Sequence, residues 1–178
     1  SFNNGDSQGW VMNVDENGFL KWEKTYGDNG EDGFNMIARS KDNNFIAVGY
    51  SESFFSKGMK DVLMVKIDSL GNKMWMNLYG GKSDDIANSV FECKDSGFAI
   101  AGETTSFGSG KNDILILKTN SNGVQKWKST IGGKGVDIGR SIEELPKGGF
   151  IISGTSTISN LSFDSILIKT DKKGKTSN

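Results

Sequence analysis

The amino-acid sequence predicts an all-β fold of four-stranded antiparallel sheets repeated in tandem, and three observations predict it. The first is a period. Trp75 has counterparts 53 residues earlier at Trp22 and 52 residues later at Trp127. The turn glycine Gly71 matches Gly18, Gly123 and Gly174, and Asp85 matches Asp32 and Asp137. Phe98 matches Phe45 and Phe150, and Gly102 matches Gly49 and Gly154. Anchors held in one register through three copies mark a repeat architecture. The second observation is composition: 24 glycines against a single proline suit many short strands joined by tight turns. The third is periodicity. No stretch sustains a 3.6-residue helical spacing, and glycine interrupts each one.

The elements follow from one copy, 61–112. Residues 61–68 alternate and are rich in Val, Leu, Met and Ile, as are 113–120 and 164–171. Residues 73–79 carry the tryptophan. Residues 88–93 come next, and 98–102 follow, apolar without alternation, which reads as a strand covered on both faces. Two connections are tight. Residues 68–71, repeated at 15–18 and 120–123, open on Asp or Asn, whose side chain bonds the backbone ahead, and end on a glycine free to take positive φ. Residues 94–97, paralleled by 41–44 and 146–149, form the second. The remaining two connections, 80–85 and 104–112, are long.

Strict alternation of short and long connections puts both long ones at one end of the sheet. That is the pattern of a β-propeller blade, and four strands in about 52 residues match the roughly 50-residue blade repeats. With 88–93 innermost, the expected order outward is 88–93, 98–102, 61–68, 73–79, and Ala99, Ala101 and Gly102 fall where blades converge. The chain reads as one propeller segment, 1–178, with an incomplete set of blades. Residues 1–60 hold a partial blade and the first repeat, 61–112 the second, 113–163 the third, and 164–178 the start of a fourth. It begins inside a blade and stops where a fourth tryptophan is due. Since a ring takes about four to eight blades, the remaining blades are expected from the same longer chain or from a second copy.

The motif set Ser96-Gly97-Phe98, then 102–107, then Asp61 through Trp75, then Gly80-Gly81 resembles the tandem β-propeller repeats of bacterial secreted and surface proteins, akin to kelch blades. The first copy departs from it with Gly27-Asp28 for the double glycine. The resemblance implies an extracellular or cell-surface location. It also implies a protein or glycan partner, in a family that hosts binding, adhesion and occasional enzymes.

Composition and motifs narrow the function. Lys and Arg number 21 against 22 Asp and Glu, a net charge of −1, so no basic excess exists to hold a nucleic-acid backbone. No apolar run reaches the 18 residues of a membrane span. With no histidine, Ser-His-Asp and Cys-His arrangements are excluded, and no phosphate-loop spacing is present. The lone Cys93 cannot form an internal disulfide and reads as a small buried hydrophobe. No cofactor is expected. Residues 28–33, with Asp28, Glu31 and Asp32, loosely resemble a calcium loop. The equivalent loops lose those ligands, so turn capping is the reading for the repeated aspartate.

The tryptophans, recurring once per blade, read as packing between blades. Lys66, Lys118 and Lys169 read as stems lying over the blade with the amine near a carboxylate or the rim. What is the same in every blade serves the fold, so a site used once must be built where copies differ. Two such positions lie at the long-loop face: Asn35, Asn88 and Arg140, and Tyr50, Glu103 and Thr155. With Asp84, Asp28 and Glu31 beside them they form the candidate binding surface of a non-enzymatic module. The alternative is a fragment of a carbohydrate-active propeller enzyme, a glycosidase or lyase working through carboxylates such as Glu103 and Asp84.

Overall fold

The computed structural model describes residues 7–52, 59–159 and 162–176, and these contain thirteen strands and no helix. In chain order they are β1 (Gly9–Val14), β2 (Leu20–Tyr26), β3 (Asp32–Arg39), β4 (Phe45–Ser51), β5 (Asp61–Ile67), β6 (Lys73–Tyr79) and β7 (Asp85–Glu92). They continue as β8 (Phe98–Thr104), β9 (Asp113–Thr119), β10 (Gln125–Ile131), β11 (Asp137–Glu144), β12 (Phe150–Ser159) and β13 (Ser162–Lys169). All pair antiparallel into four open sheets: β1-β2, β3-β4-β5-β6, β7-β8-β9-β10 and β11-β12-β13.

The expected order of strand types holds, but the partners differ from the sequence reading. Phe98–Thr104 pairs with Asp113–Thr119, Gly102 opposite Leu115, and not with the 61–68 strand of its own repeat. Asp61–Ile67 and Lys73–Tyr79 belong to the sheet before. The period as read therefore straddles two sheets, because the connection 80–84 steps between sheets whereas 105–112 turns back within one. Sequence similarity marks a period without saying where it is cut.

Both tight turns form by the chemistry expected of them. The Asp68 carboxylate accepts the Leu70 and Asn72 N–H groups at 2.9 and 2.8 Å, and Gly71 takes φ 75°. Asp15, Asn120 and Asp171 repeat the arrangement, with Gly18, Gly123 and Gly174 at φ 84°, 76° and 72°. In the other turn the positive φ falls on Asn43, Ser96 and Gly148. In the second copy it precedes the glycine the motif highlights, where a methyl at Gly97 would sit 2.2 Å from the Thr119 carbonyl and close approach holds the position, whereas in the third copy Gly149 takes positive φ as well, 82°.

The sheets stack face to face with an apolar core between each pair. Ile46, Val48, Val62 and Met64 of the second sheet meet Val90, Phe98, Ile100, Leu115 and Leu117 of the third. Ala99, Ala101, Ile114 and Ile116 of the third meet Ile142, Phe150 and Ile152 of the fourth. All seven residues of β5 and of β9 are consequently buried, as strands sandwiched on both faces. Their equivalents at the ends of the stack have one covered face only. Leu167 of β13 is 71% exposed where Ile116 of β9 is 0%.

Each of the three repeated tryptophans, Trp22, Trp75 and Trp127, reaches forward to the next sheet. The ring of Trp22 lies on Gly71, where a methyl would come within 2.8 Å of it, and its indole N–H donates to the Ser69 carbonyl at 3.2 Å. Trp75 lies on Gly123 and Trp127 on Gly174 in the same way, and each packs edge-on against the next sheet's Phe98 or Phe150. Tyr26 adds a hydrogen bond to the Gly71 carbonyl at 2.7 Å, and Tyr79 adds one to that of Gly123. The three repeated tryptophans are packing residues between sheets.

The first strand of each of the last three sheets carries a β-bulge at one place, between Phe34 and Met36, Ala87 and Ser89, and Gly139 and Ser141. The bulge drives a carbonyl toward the second strand. A methyl at Gly102 would lie 1.9 Å from the Ile86 oxygen, with the same clash at Gly49 and Gly154. Crowding within the sheet fixes these glycines, whereas Ala99 and Ala101 are small because they face the next sheet. Replacing Gly102 by Ala is predicted to destabilise the protein by about 2–3 kcal/mol, measured by urea unfolding. A loss under about 0.5 kcal/mol would show that the bulge relaxes freely.

Candidate functional site

The long connections and the bulges bring the candidate residues to one end of the inner strands, but they are used differently. Asn35 and Asn88 are the extra residues of their bulges and have no opposite partner in the ladder. The Asn35 amide donates to the Ala87 carbonyl of the next sheet at 2.9 Å and to Asn88 Oδ1 at 3.3 Å. Asn88 in turn donates to the Gly139 carbonyl at 3.0 Å. The two asparagines are stitches between sheets. Arg140 occupies the third bulge, is exposed, and finds no partner among the described residues.

The other position is less uniform. Tyr50 lies under the Lys60 ammonium, 4.5 Å from ring centroid to nitrogen. Glu103 accepts from the Asn112 amide at 2.8 Å, closing the 105–112 loop onto its own strand. Thr155 is half-buried, its hydroxyl without a partner among the described residues. Asp84 caps a loop: its carboxylate accepts the Lys60 N–H at 3.1 Å, and its carbonyl accepts that of Thr105 at 2.8 Å. Asp84 and Glu103 thus hold two different loops.

The repeated aspartates are buried and cap their loops. Asp85 accepts the Gly81 N–H at 2.8 Å and the Ser106 hydroxyl at 2.7 Å. Asp137 accepts the Gly133 N–H at 2.8 Å and the Ser156 hydroxyl. In the loop that resembles a calcium site, Asp32 accepts the Asp28 N–H at 3.0 Å and Asp28 accepts that of Asn29 at 2.9 Å. Glu31 is exposed, and its carbonyl accepts the Glu52 N–H at 2.8 Å. Among the described residues no group of three or more Cys, Asp or Glu side chains is placed to hold a metal ion.

At the short-turn end two of the repeated lysines meet carboxylates, as expected for Lys66 and Lys118. Lys66 meets Asp42 at 2.6 Å, and Lys118 meets Asp95 at 2.8 Å, with Lys126 on the other Asp95 oxygen at 2.9 Å. In the third copy the matching residue is Lys147, and the exposed Lys169 has lost its carboxylate partner. A cleft of about 530 Å³ lies between the third and fourth sheets, lined by five lysines, among them Lys147 and Lys172, against Asp95 and Glu144. A comparison of Asp42, Asp95 and Lys147 across copies contains the signal. Beside it Cys93 is fully buried, and burial, opposed in part by Lys118, pushes its thiol up to about 11.

No protein-family model matches the chain, and no curated protein matches it. Among the described residues no helix is long and apolar enough to cross a membrane.

Two tests follow. Asn88→Ala is predicted to cost about 1 kcal/mol of stability through the lost stitch, while Arg140→Ala stays within about 0.5 kcal/mol; equal effects in thermal unfolding would contradict the division. The second concerns Asp95. Burial disfavours its charge, but hydrogen bonds from Lys118, Lys126 and the Gly97 N–H outweigh that and hold the carboxyl well below the usual range. A lowered folded-state value means stability present above the unfolded value of about 3.9 and lost as pH falls below it. Because Asp95 is half exposed, Asp95→Asn is predicted to cost only about 1–2 kcal/mol at pH 7. The gap should narrow on going from pH 4 to pH 2, and a gap that widens would reverse the sign.

Proposed function

We propose that the chain is a run of blades from a β-propeller, completed by further blades of the same kind, and that it serves as a non-enzymatic binding or structural module of a secreted or cell-surface protein. Open antiparallel sheets, stacked face to face in one repeating manner with their long loops at one end, support the blade reading. The partner, a protein or a glycan, docks on the long-loop face around Arg140. One observation carries this: at the bulge where two copies hold an asparagine bonded to the next sheet, the third, on the last described sheet, presents an exposed arginine. Arginine and tyrosine are over-represented among binding anchors, and Tyr50, at the other variable position of the repeat, lies on β4 of the second sheet. Asp84 and Glu103 serve their loops, which gives the carbohydrate-active alternative no support.

The experiment is a binding screen against surface glycans and secreted proteins, followed by Arg140→Ala and Tyr50→Ala on any partner found. At least one substitution is predicted to weaken binding by tenfold or more, about 1.4 kcal/mol, with unfolding unchanged. Unchanged affinity in both would remove the long-loop face as the site.

A further inference from the structure

The cleft of about 530 Å³ between the third and fourth sheets has matching positions between the second and third, and the two places differ in charge. Between the second and third sheets the residues are Lys41, Lys66 and Lys94 against Asp42, Glu92 and Asp95, three charges of each sign. The cleft has five lysines against Asp95 and Glu144, an excess of three positive charges. Lys126 stands for Met74, Lys147 for Asp95 and Lys172 for Ser121, while Pro146, for Lys94, removes one cation. The turn beneath is adapted to one of these exchanges. The Lys172 stem lies across Gly148, where a methyl would meet its Cε at 2.5 Å, and the other copies have Asn43 and Ser96 in place of that glycine. The carboxylates of the cleft are already engaged. Asp95 holds Lys118 and Lys126, and Glu144 accepts the Lys94 backbone N–H at 2.7 Å. The Lys94 ammonium donates to the Pro146 carbonyl at 2.7 Å. Lys147 and Lys172 are exposed and meet no carboxylate among the described residues.

We propose that this cleft binds a small ligand bearing two or more tetrahedral oxyanion groups, phosphate or sulfate, with Lys147 and Lys172 as its anchors. Three observations select that chemistry. An excess of three positive charges in one concave place draws in negative groups and calls for more than one of them. The volume falls among those of small-molecule sites, about 300–1,000 Å³, and exceeds what a single oxyanion fills. All five cations are lysines, compact point charges whose donors rotate to meet a tetrahedral group. The planar fork that matches a carboxylate belongs to arginine, and the cleft has none. The site lies at the short-turn end, away from Arg140, and stands apart from the loop-face reading.

The test titrates the isotope-labelled 178-residue chain at low ionic strength with pyrophosphate, with a disulfated disaccharide and with citrate, and follows the backbone amide signals. Pyrophosphate or the disulfated sugar is expected to shift the amides of 147–149 and 172 saturably and to leave those of 41–44 in place. The relative affinities of the two identify the source of the oxyanion. Lys147→Asp and Lys172→Ser each install the residue of the second copy, and each is expected to weaken binding at least about tenfold without lowering the unfolding temperature. Arg140→Ala should leave binding intact. The proposal is overturned if neither ligand gives saturable shifts, or if both substitutions leave the affinity unchanged. Equal shifts at 41–44 would reduce the effect to general surface charge and overturn it as well. Citrate binding as tightly as the better of the two would overturn the assignment to tetrahedral groups.

Discussion

The constraint on which the structure depends is that the third strand of each sheet is apolar on both faces. The side chains of Val62, Leu63, Met64 and Val65 point alternately to opposite sides of one strand, and all four are 0% exposed. Each such side chain contributes about 1.5–3 kcal/mol when fully buried, and a single sheet could secure only the half that faces its own cover. The sequence therefore demands a sheet on either side. Everything else in the repeat adjusts one sheet to the next: small residues where faces approach, tryptophan where the outer strand meets the neighbouring turn, asparagine where the inner strand bulges.

Polar groups reinforce this stack at both ends of the inner strands. At the long-loop end the asparagine amides cross from sheet to sheet. At the short-turn end the Lys41 N–H donates to Glu92 of the next sheet at 2.6 Å and its ammonium reaches the Cys93 carbonyl. Lys94 repeats both contacts with Glu144 and Pro146. These bonds satisfy backbone groups that the bulge and the turn leave outside the ladder. They also fix the relative register of neighbouring sheets, which apolar contact alone, being non-directional, does not.

Much of this was legible in the sequence because repetition does the work of an alignment. The turn chemistry of Asp68 and Gly71, the covered strands, the packing role of Trp75 and the ammonium–carboxylate contacts of Lys66 and Lys118 all follow from residue type at a repeated position. The pairing of 98–104 with 113–119 did not, since either neighbouring copy of the third strand has the same pattern and only loop length and direction separate them. Nor did the role of Asn35 and Asn88. Their amides act through a bulge, and a bulge is set by backbone geometry that leaves no mark on side-chain alternation. Arg140 is the odd residue of its set, and Lys147 is the odd residue of the turn set it forms with Asp42 and Asp95.

The forward reach of the tryptophans has a consequence for symmetry. Each of the first three sheets offers a ring on one side and a bare glycine turn on the other, so donor and acceptor are different surfaces and contact has a polarity. Gly18 shows the receiving surface by itself: a methyl there would meet nothing within 4 Å among the described residues. Surfaces of this kind cannot mate with their own image across a two-fold axis. Units joined through them follow one another head to tail, and such a series ends only by closing into a ring or by meeting a unit that lacks the ring or the turn.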